Sequence, residues 1–406
     1  MPPIVPILHT LRRHRTAAAL IVLQIAFTCA IVCNAIFVIR DRLGRMDRSS
    51  GIVEEEILRV QVAGIGKQDD AAAVTLQDLA ALRALPGVKS VATTNMVPFG
   101  GSSWNSDVQL SPDATNGVNS AMYMGSRDLL ETFGVQLIAG RDFTPDEYVE
   151  LKSVSAGASN MASMIITKGL AEAMFPGQDA LGKQLYVWGK EPQTVVGIVD
   201  HIARPNEWQG EKGHRHAMIM PIDTPFNVGG NYIIRVDPAQ RDAVLAAVDS
   251  TLDRVSPNRI ILERQTFSEI RHRYFRQDRA MAYLLTGVSI ALLIITALGV
   301  VGLASFWVQQ RTRQIGIRRA LGATRRDILH YFQLENFILA TMGIVLGMVL
   351  AYGINLWLMD KYNVPRLPAE LLPIGALLLW LLGQIAVLGP ALRAAGIPPA
   401  IATRSV

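Results

Sequence analysis

One glycine-rich segment of the chain is close in sequence to a phosphate-binding loop. Residues Gly177–Gln184 read G-Q-D-A-L-G-K-Q. A P-loop needs Ser or Thr after its lysine, because that hydroxyl binds Mg²⁺, and it needs a buried strand in front of the first glycine. Here Gln184 takes the hydroxyl position and Met174-Phe175-Pro176 replaces the strand. Nucleotide binding is therefore not expected at this segment.

Histidines and cysteines are the other residues whose side chains could bind a metal. His201, His214 and His216 lack the Cys or carboxylate spacing of a known zinc site, so a solvated loop is the better interpretation. Cys29 and Cys33 lie one helical turn apart in an apolar segment, where small polarisable side chains commonly pack between helices. The sequence also lacks the H-E-x-x-H and G-x-S-x-G motifs. We therefore expect no catalysis, metal or cofactor on this chain.

The apolar residues are concentrated in long windows. Half of the 406 residues are hydrophobic and only 18% are charged, which is unusual for a soluble protein. A helix needs roughly 20 apolar residues to cross the hydrocarbon core of a bilayer. The first window is also too long for a signal-peptide core, so it is expected to stay attached. Four transmembrane helices are predicted, over Thr16–Ile39, Ala280–Gln310, Asn336–Met359 and Leu371–Leu392.

Most of the basic residues lie at the ends of these windows. Arginines precede the first window, fill the link between the second and third, and follow the fourth, whereas Lys361 and Arg366 between the last two are balanced by Asp360 and Glu370. The positive-inside rule then predicts that both termini are cytoplasmic. No basic motif with interleaved aromatics accompanies them, so membrane lipid, and not nucleic acid, is the expected partner.

The region between the first two windows is predicted to be an α+β domain outside the cytoplasm. Alternating or β-branched runs predict strands, 3.6-residue spacing predicts helices, and residues 153–163 and 205–216 are the predicted loops. The predicted strands are Glu56–Val62, Val88–Thr94, Asp107–Leu110, Met164–Thr167, Gln184–Trp188, Thr194–Val199, Met218–Met220 and Tyr232–Val236, with helices over Leu76–Arg83, Gly169–Phe175 and about Ala239–Val255.

A helix is expected to begin at Thr266. Thr266 and Glu269 have the spacing of a capping box, in which each side chain accepts a hydrogen bond from the other residue's backbone amide. No proline follows until beyond Trp307. We therefore predict one continuous helix of about 60 Å, longer than the hydrocarbon core, whose first turns form a stalk outside the membrane.

The segment between the second and third windows is the most informative part of the sequence. Gln309–His330 reads Q-Q-R-T-R-Q-I-G-I-R-R-A-L-G-A-T-R-R-D-I-L-H, with Ile315 and Leu321 among arginines and a break at Gly322. Alone, this pattern is typical of an amphipathic helix in the membrane interface. It closely resembles the cytoplasmic link R-T-x-E-I-G-I-R-[RK]-A-L-G-A of FtsX/MacB-type ABC permeases, which docks on an ATPase. Gln314 departs from the usual Glu and loses its charge.

The resemblance extends over most of the chain. Val135–Thr144, Ala173–Leu185 and Val195–Asp200 are similar to the periplasmic core of MacB-type permeases, and Pro390–Ala400 is similar to their C-terminal tail. The near P-loop is then a turn of this family. The implied fold is a membrane protein with four transmembrane α-helices and a large extracytoplasmic α+β domain between the first two. The implied segments are 1–40, 41–265, 266–308, 309–332 (the coupling loop), 333–359, 360–370, 371–392 and 393–406.

The resemblance also implies partners. ATP and Mg²⁺ would be held by a cytoplasmic ABC ATPase, expected as a separate subunit because few residues precede the first window. A second permease copy or a paralogue would complete the complex in the bacterial inner membrane, and an adaptor and outer-membrane channel would join it for export. Lipoprotein or lipid extraction, or regulation of a cell-wall hydrolase or sensor without transport, are the alternatives.

Specific residues are expected to couple the chain to the ATPase or to pack its helices. Ile315, Ile317 and Leu321 are predicted to enter an apolar groove of the ATPase, with arginines steering its carboxylates. The coupling residues are Arg311, Arg313, Gln314, Ile315, Gly316, Ile317, Arg318, Arg319, Ala320, Leu321, Gly322 and Ala323. Gly343 and Gly347 form a G-x-x-x-G that packs helices, either between subunits or against the second and fourth helices, and Gln24, Asn34 and Gln384 are expected to make interhelical hydrogen bonds.

Overall fold

A computed structural model describes residues 15–67, 70–155, 161–206, 213–362 and 366–398. The chain divides into two units. The α+β domain comprises residues 48–276, and the helical unit comprises residues 1–47 together with 277–406. The middle parts of the predicted loops 153–163 and 205–216, and the end of the predicted C-terminal tail, lie outside the described residues.

The secondary structure alternates between strands and helices in the domain and is helical elsewhere. In chain order the elements are α1 (Arg15–Met46), β1 (Ile57–Gly64), α2 (Ala71–Arg83), β2 (Val88–Thr94), β3 (Asn105–Val108), β4 (Val118–Met124), α3 (Leu129–Phe133), β5 (Leu137–Gly140), β6 (Val149–Glu150), α4 (Leu151–Ser155), β7 (Ser163–Thr167), α5 (Lys168–Met174), β8 (Gln184–Leu185), β9 (Gln193–Val199), β10 (Ala217–Met220), β11 (Ile222–Asp223), β12 (Asn231–Val236), α6 (Arg241–Val255), β13 (Arg259–Thr266), α7 (Phe267–Tyr274), α8 (Arg276–Gln310), α9 (Thr312–Ala320), α10 (Arg325–Tyr362) and α11 (Leu371–Ala395).

The α+β domain contains two main sheets. The first is antiparallel, with strand order β13-β1-β12-β2, and Leu58 pairs with Ile234 in its centre. The second is mixed, with order β3-β4-β10-β7-β9-β5 and β8 added at β9. A parallel pair, β6 with β11, forms a third small sheet. Helices α2 and α6 cover one face of the first sheet, where Leu82, Val248 and Leu252 are buried against its strands.

Most predicted elements of this domain are confirmed. Strand β2 has the predicted bounds, and β1, β7, β9, β10 and β12 lie within a residue or two of theirs. The predicted strand Gln184–Trp188 is reduced to the two residues of β8. The sequence reading missed β4, β5 and β13.

The helical unit contains four helices that are long and apolar enough to cross a membrane, α1, α8, α10 and α11. All four extend beyond the charge-free windows at one or both ends, and α10 begins at Arg325, inside the segment predicted to be the coupling loop. Helix α10 packs against both α1 and α11. Ile25, Cys29, Ile344 and Leu379 are buried in the core between these three helices.

Candidate ATPase-coupling segment

Helix α9 is a short helix held between two sharp turns. It follows Arg311, whose backbone leaves the helical conformation at φ −102° and ψ 8°. It ends at Ala320, and Gly322, two residues later, has a φ of +99°, a left-handed conformation that a residue with a side chain rarely adopts. Thr324 and Asp327 then start α10: the Thr324 amide donates to Asp327 Oδ2 at 2.8 Å, and the Asp327 amide donates to Thr324 Oγ1 at 3.2 Å. The turn at Gly322 and the cap at Thr324 therefore fix where α9 stops and where α10 starts.

The inward face of α9 is apolar. Ile315 is only 5% exposed and lies in a cluster with Ile328 and Phe332 of α10 and Ala391 and Ala394 of α11. Gly316 beside it is also buried. The prediction that Ile315 enters a groove of the ATPase is wrong, because its own chain already covers it.

Two arginines of the segment are used inside the chain. Arg311 is 7% exposed, and its Nη1 donates to both oxygens of Glu335, at 3.0 and 2.9 Å. Arg319 Nη1 donates to the backbone oxygens of Ala395 and Ile397, at 3.1 and 2.7 Å, where α11 ends with unpaired carbonyls. The prediction that Arg311 steers carboxylates of the ATPase is wrong, because its side chain is buried against Glu335. For Arg319, which attaches the half-buried end of α9 to the end of α11, steering stays a prediction.

The outward face carries the remaining candidate residues. Ile317 is 46% exposed and Leu321 is 83% exposed. Arg313, Gln314, Arg318 and Ala320 surround them and are also exposed, whereas Ala323 is half-buried. The Arg318 guanidinium lies 4.9 Å from the centre of the Tyr331 ring. The result is a small apolar surface, Ile317 with Leu321, enclosed by positive charge.

Glu335 and Trp307 were missed by sequence reasoning. The Arg311 guanidinium lies 5.4 Å from the Trp307 ring centre, and Glu335 is only 1% exposed. A signal was available, because Glu335 directly precedes the third apolar window, and an ionisable residue at such a position usually has a partner in the chain.

The predicted stalk differs from the structure in one respect. The capping box is present: the Thr266 amide donates to Glu269 Oε2 at 2.8 Å, and the Glu269 amide donates to Thr266 Oγ1 at 3.2 Å. However, α7 ends at Tyr274, and Phe275 has φ −87° and ψ 12° before α8 begins. The prediction of a continuous helix from Thr266 to about Trp307 is therefore wrong.

Packing within the α+β domain accounts for this interruption. Phe275 is 1% exposed, and its ring centre lies 5.2 Å from that of Phe99. Phe99 has a φ of +57°, which is uncommon for a residue with a side chain. Arg271 lies over both rings and pairs with Glu54. The aromatic cluster holds Phe275 inside the domain, so tertiary contacts override its helical preference.

Two family models match the chain. The MacB-like periplasmic core domain matches residues 18–251, and the FtsX-like permease C-terminal domain matches residues 286–399. The chain belongs to the MacB/FtsX-type ABC transporter permeases. Permeases of this type work with ABC ATPases.

Relatives of this permease include proteins named for export. The macrolide export ATP-binding/permease protein MacB of Chromobacterium violaceum is 26% identical over 245 residues, which is 59% of this chain and 36% of MacB. The uncharacterized ABC transporter permease YvrN of Bacillus subtilis is 24% identical over 301 residues, 71% of each chain. The pyoverdine export ATP-binding/permease protein PvdT of Pseudomonas putida is 27% identical over 74% of this chain and 44% of PvdT. The permease thus spans about a third of the length of that MacB.

The G-x-x-x-G of the permease lies against its own first helix. A Cβ added to Gly343 would lie 2.8 Å from Ile25 Cβ, and one added to Gly347 would lie 2.5 Å from Cys29 Cβ. These glycines let α10 approach α1 closely, as small residues do in membranes. Both predicted partners, another subunit and the second and fourth helices, are therefore wrong.

The polar residues predicted to join helices do so. Gln24 Nε2 donates to the Ile295 oxygen at 3.1 Å, and Asn34 Nδ2 donates to the Ala351 oxygen at 3.3 Å. Gln384 Nε2 donates to the Gln333 oxygen at 3.5 Å. Interhelical hydrogen bonding is confirmed for all three.

The α+β domain residues with potential chemistry occupy turns and loops. Gly177 and Gly182 of the near P-loop have φ of +71° and +75°, so they form turns before β8. The His201 and His214 rings lie 6.0 Å apart, and burial lowers the pKa of His201. Within the described ranges, no group of three His, Cys, Asp or Glu side chains is arranged to hold a metal ion.

Proposed function

We propose that this permease converts ATP binding and hydrolysis by a cytoplasmic ABC ATPase into movement of its α+β domain. The observation that carries this proposal is the surface of α9. Ile317 and Leu321 are exposed together among arginines, although Arg311, Ile315 and Arg319 fix the helix firmly to α10 and α11. A rigid helix with an exposed apolar pair is suited to receive a partner.

The chemistry of this surface fits an ATPase groove with an acidic rim. Apolar anchors that become desolvated usually supply most of the binding energy, whereas charges at the rim speed and orient association. Ile317 and Leu321 would be the anchors, and Arg313 and Arg318 would be the rim. Gln314 would contribute a neutral hydrogen bond at the position where the family usually has Glu.

The arginines beside the membrane-spanning helices indicate on which side of the membrane each part of the permease lies. With the α9 link and both termini in the cytoplasm, the α+β domain lies on the opposite side of the inner membrane. Reporter fusions at residues 150 and 320 are expected to report opposite sides. A cytoplasmic signal from residue 150 would contradict this arrangement.

Export is the process that we propose for the complex. Two relatives that cover more than half of this chain are named for macrolide and pyoverdine export. Two permease copies would act with ATPases that bind ATP and Mg²⁺, and an adaptor and an outer-membrane channel would complete the path. The substrate would be moved on the far side of the membrane by the α+β domain.

Substitutions in α9 test the coupling role. Ile317→Asp is expected to abolish co-purification with the ATPase, and Leu321→Asp to weaken it strongly, because a buried carboxylate without a partner is costly. Arg313→Ala, on the exposed rim of the same helix, is expected to retain most of the binding. If the double variant Ile317→Asp/Leu321→Asp co-purifies with a fully stimulated ATPase, α9 is not the coupling element.

A further inference from the structure

Arg311 and Glu335 form an ion pair at the junction between the coupling segment and the transmembrane helices. Arg311 lies between α8 and α9, and Glu335 lies in α10. Only 9% of the Arg311 side chain and 2% of the Glu335 side chain are exposed. Removing two charges from water this completely costs free energy. Burial of the pair is therefore weak evidence that its role is only to stabilise the fold.

The hydrogen bonding around this pair is incomplete. Arg311 Nη2, Trp307 Nε1 and Asn336 Nδ2 are buried donors without an acceptor among the described residues. A cavity of about 10 Å³ beside them is lined by Trp307, Glu335 and Asn336 together with six apolar side chains.

The other contacts of the coupling segment differ in kind from this pair. Ile315 packs on apolar side chains of α10 and α11, a contact without directional bonds. Arg319 donates to the backbone oxygens of Ala395, the last residue of α11, and of Ile397 beyond it. Beside the ring contact of Arg318 with Tyr331, the paired Nη1 contacts of Arg311 to both Glu335 oxygens are the ion pair in the described structure that joins the coupling segment to α10.

We propose that Arg311 and Glu335 are a positioning pair that makes α10 follow the coupling segment. This inference rests on the proposed role of α9. Displacement of α9 by the ATPase would move Glu335 through Arg311. Helix α10 would carry α1 with it, because Gly343 and Gly347 hold these helices in close contact.

Separate measurements of binding and stimulation test the pair. Glu335→Gln and Arg311→Lys leave Ile317 and Leu321 in place, so both variants are expected to co-purify with the ATPase as the unaltered permease does. Stimulation of ATP hydrolysis by the permease in nanodiscs should fall roughly tenfold, within the usual range for coupling between sites. Arg325→Lys, at an exposed position in the first turn of α10, is the matched control and should keep its stimulation.

Spin labels provide a readout that does not depend on turnover. Labels at Gln314 and Met342, both exposed, report the distance between α9 and α10 in a background with Cys29→Ala and Cys33→Ala. When Arg311 and Glu335 are both present, the distance between the two labels should have a narrow distribution with and without ATP. In the Glu335→Gln variant, the distribution should broaden when ATP is added.

Two results would overturn the proposal. One is full stimulation and an unchanged distance distribution in both Glu335→Gln and Arg311→Lys. The other is loss of co-purification in these variants, which would make the pair part of the binding surface. Failure of the proposed function is a different result, namely normal ATPase binding by Ile317→Asp/Leu321→Asp.

Discussion

The two units of the permease each contain a buried arginine–carboxylate pair, and the two pairs differ in how completely they are hydrogen-bonded. In the α+β domain, Arg259 and Asp78 have side chains with no exposed surface. Arg259 Nη2 donates to Asp78 Oδ1 and to the Leu252 oxygen, both at 2.7 Å, and its Nε donates to the Ser256 oxygen at 3.0 Å. In the helical unit, Arg311 uses only Nη1 on Glu335.

Further partners complete the domain pair. The Tyr232 hydroxyl donates to Asp78 Oδ2 at 2.5 Å, and burial together with Asp78 raises the pKa of Tyr232 far above its ordinary value. These bonds join α2, α6, β12 and β13. A fully satisfied buried network specifies one packing. The first pair therefore fixes the packing of the α+β domain, whereas the second is the pair that we propose transmits movement.

Breaking the domain pair should have the largest effect on stability. Arg259→Ala leaves the buried Asp78 carboxylate without its cation, and it is expected to lower the free energy of unfolding by about 3–5 kcal/mol. Denaturant unfolding of the whole permease, followed by proteolysis of the α+β domain, measures the loss. The matched control is Arg264→Ala, which removes the exposed pair with Asp249 and should cost below about 1 kcal/mol. Equal losses would contradict the role of the buried network.

Replacing both partners of a pair by apolar residues should affect the two units differently. Asp78→Leu/Arg259→Met removes Asp78 from the buried Tyr232 hydroxyl and removes the arginine donor from two carbonyl oxygens, so it should still destabilise the domain by about 2–4 kcal/mol. Arg311→Met/Glu335→Leu leaves few groups unpaired and should be close to neutral for folding, as apolar replacement of buried pairs often is. Thermal unfolding measures both. The roles given to the two pairs would be contradicted if Asp78→Leu/Arg259→Met left the domain as stable as before, or if Arg311→Met/Glu335→Leu unfolded the helical unit.

Disturbing the close packing of α10 on α1 should lower the stability less than breaking the Arg259–Asp78 pair of the domain. Gly347→Ala places a Cβ 2.5 Å from Cys29 Cβ and 2.6 Å from the Ala26 oxygen, so α10 and α1 must separate. We expect a loss of about 1–3 kcal/mol, as for other overpacked sites. Gly353→Ala in the same helix has no atom within 4 Å of the added carbon and is the control. Thermal unfolding in nanodiscs should separate the two variants.

The smallest expected effect is at a partly exposed pair of the domain. Arg141 Nη1 and Nη2 donate to the two oxygens of Glu147, at 2.7 and 2.8 Å, which lowers the pKa of Glu147 to about 2. Half of the Arg141 side chain is exposed, so Glu147→Gln should cost only about 1 kcal/mol at pH 7.

The pH dependence of this loss has a defined sign. Because folding depresses the pKa of Glu147, its contribution is complete above the ordinary value of 4.5 and disappears as the pH falls towards 2. The unfolding free energies of the unaltered permease and of the Glu147→Gln variant should therefore converge as the pH falls from 4.5 to 2. A difference that persists at pH 2 would show that the charge is not responsible.

Some residues of the coupling segment could be assigned from the sequence and others could not. Ile317 and Leu321 are exposed, and their docking on the ATPase stays a prediction, whereas the arginine pattern and the break at Gly322 are local features that the sequence shows directly. The burial of Ile315 depends on Phe332 and Ala391, which are distant in the chain. Amphipathic spacing shows that a helix has an apolar face, but not whether that face binds its own chain or a partner.

The missed strands have a similar explanation. Strand β13 is at the edge of its sheet, and its alternating exposed residues are Ile260, Leu262 and Arg264 whereas Arg259 and Gln265 are buried, so its apolar and polar residues do not alternate as in a half-buried strand. Strand β4 is buried between β3 and β10, but its V-N-S-A-M-Y-M sequence has few β-branched residues. Pairing with neighbouring strands, not local preference, makes both segments extended.

The sequence by itself determined the four apolar helices, the α+β domain between the first two, the cap at Thr266 and the family. These depend on local composition, short-range spacing and motif letters, which are written directly in the chain. Tertiary structure alone decided that Arg311 pairs with Glu335, that Gly347 faces Cys29 and that Phe275 interrupts the stalk. Each of these depends on which distant surfaces meet, and burial then changes what a charge, a glycine or an aromatic ring does.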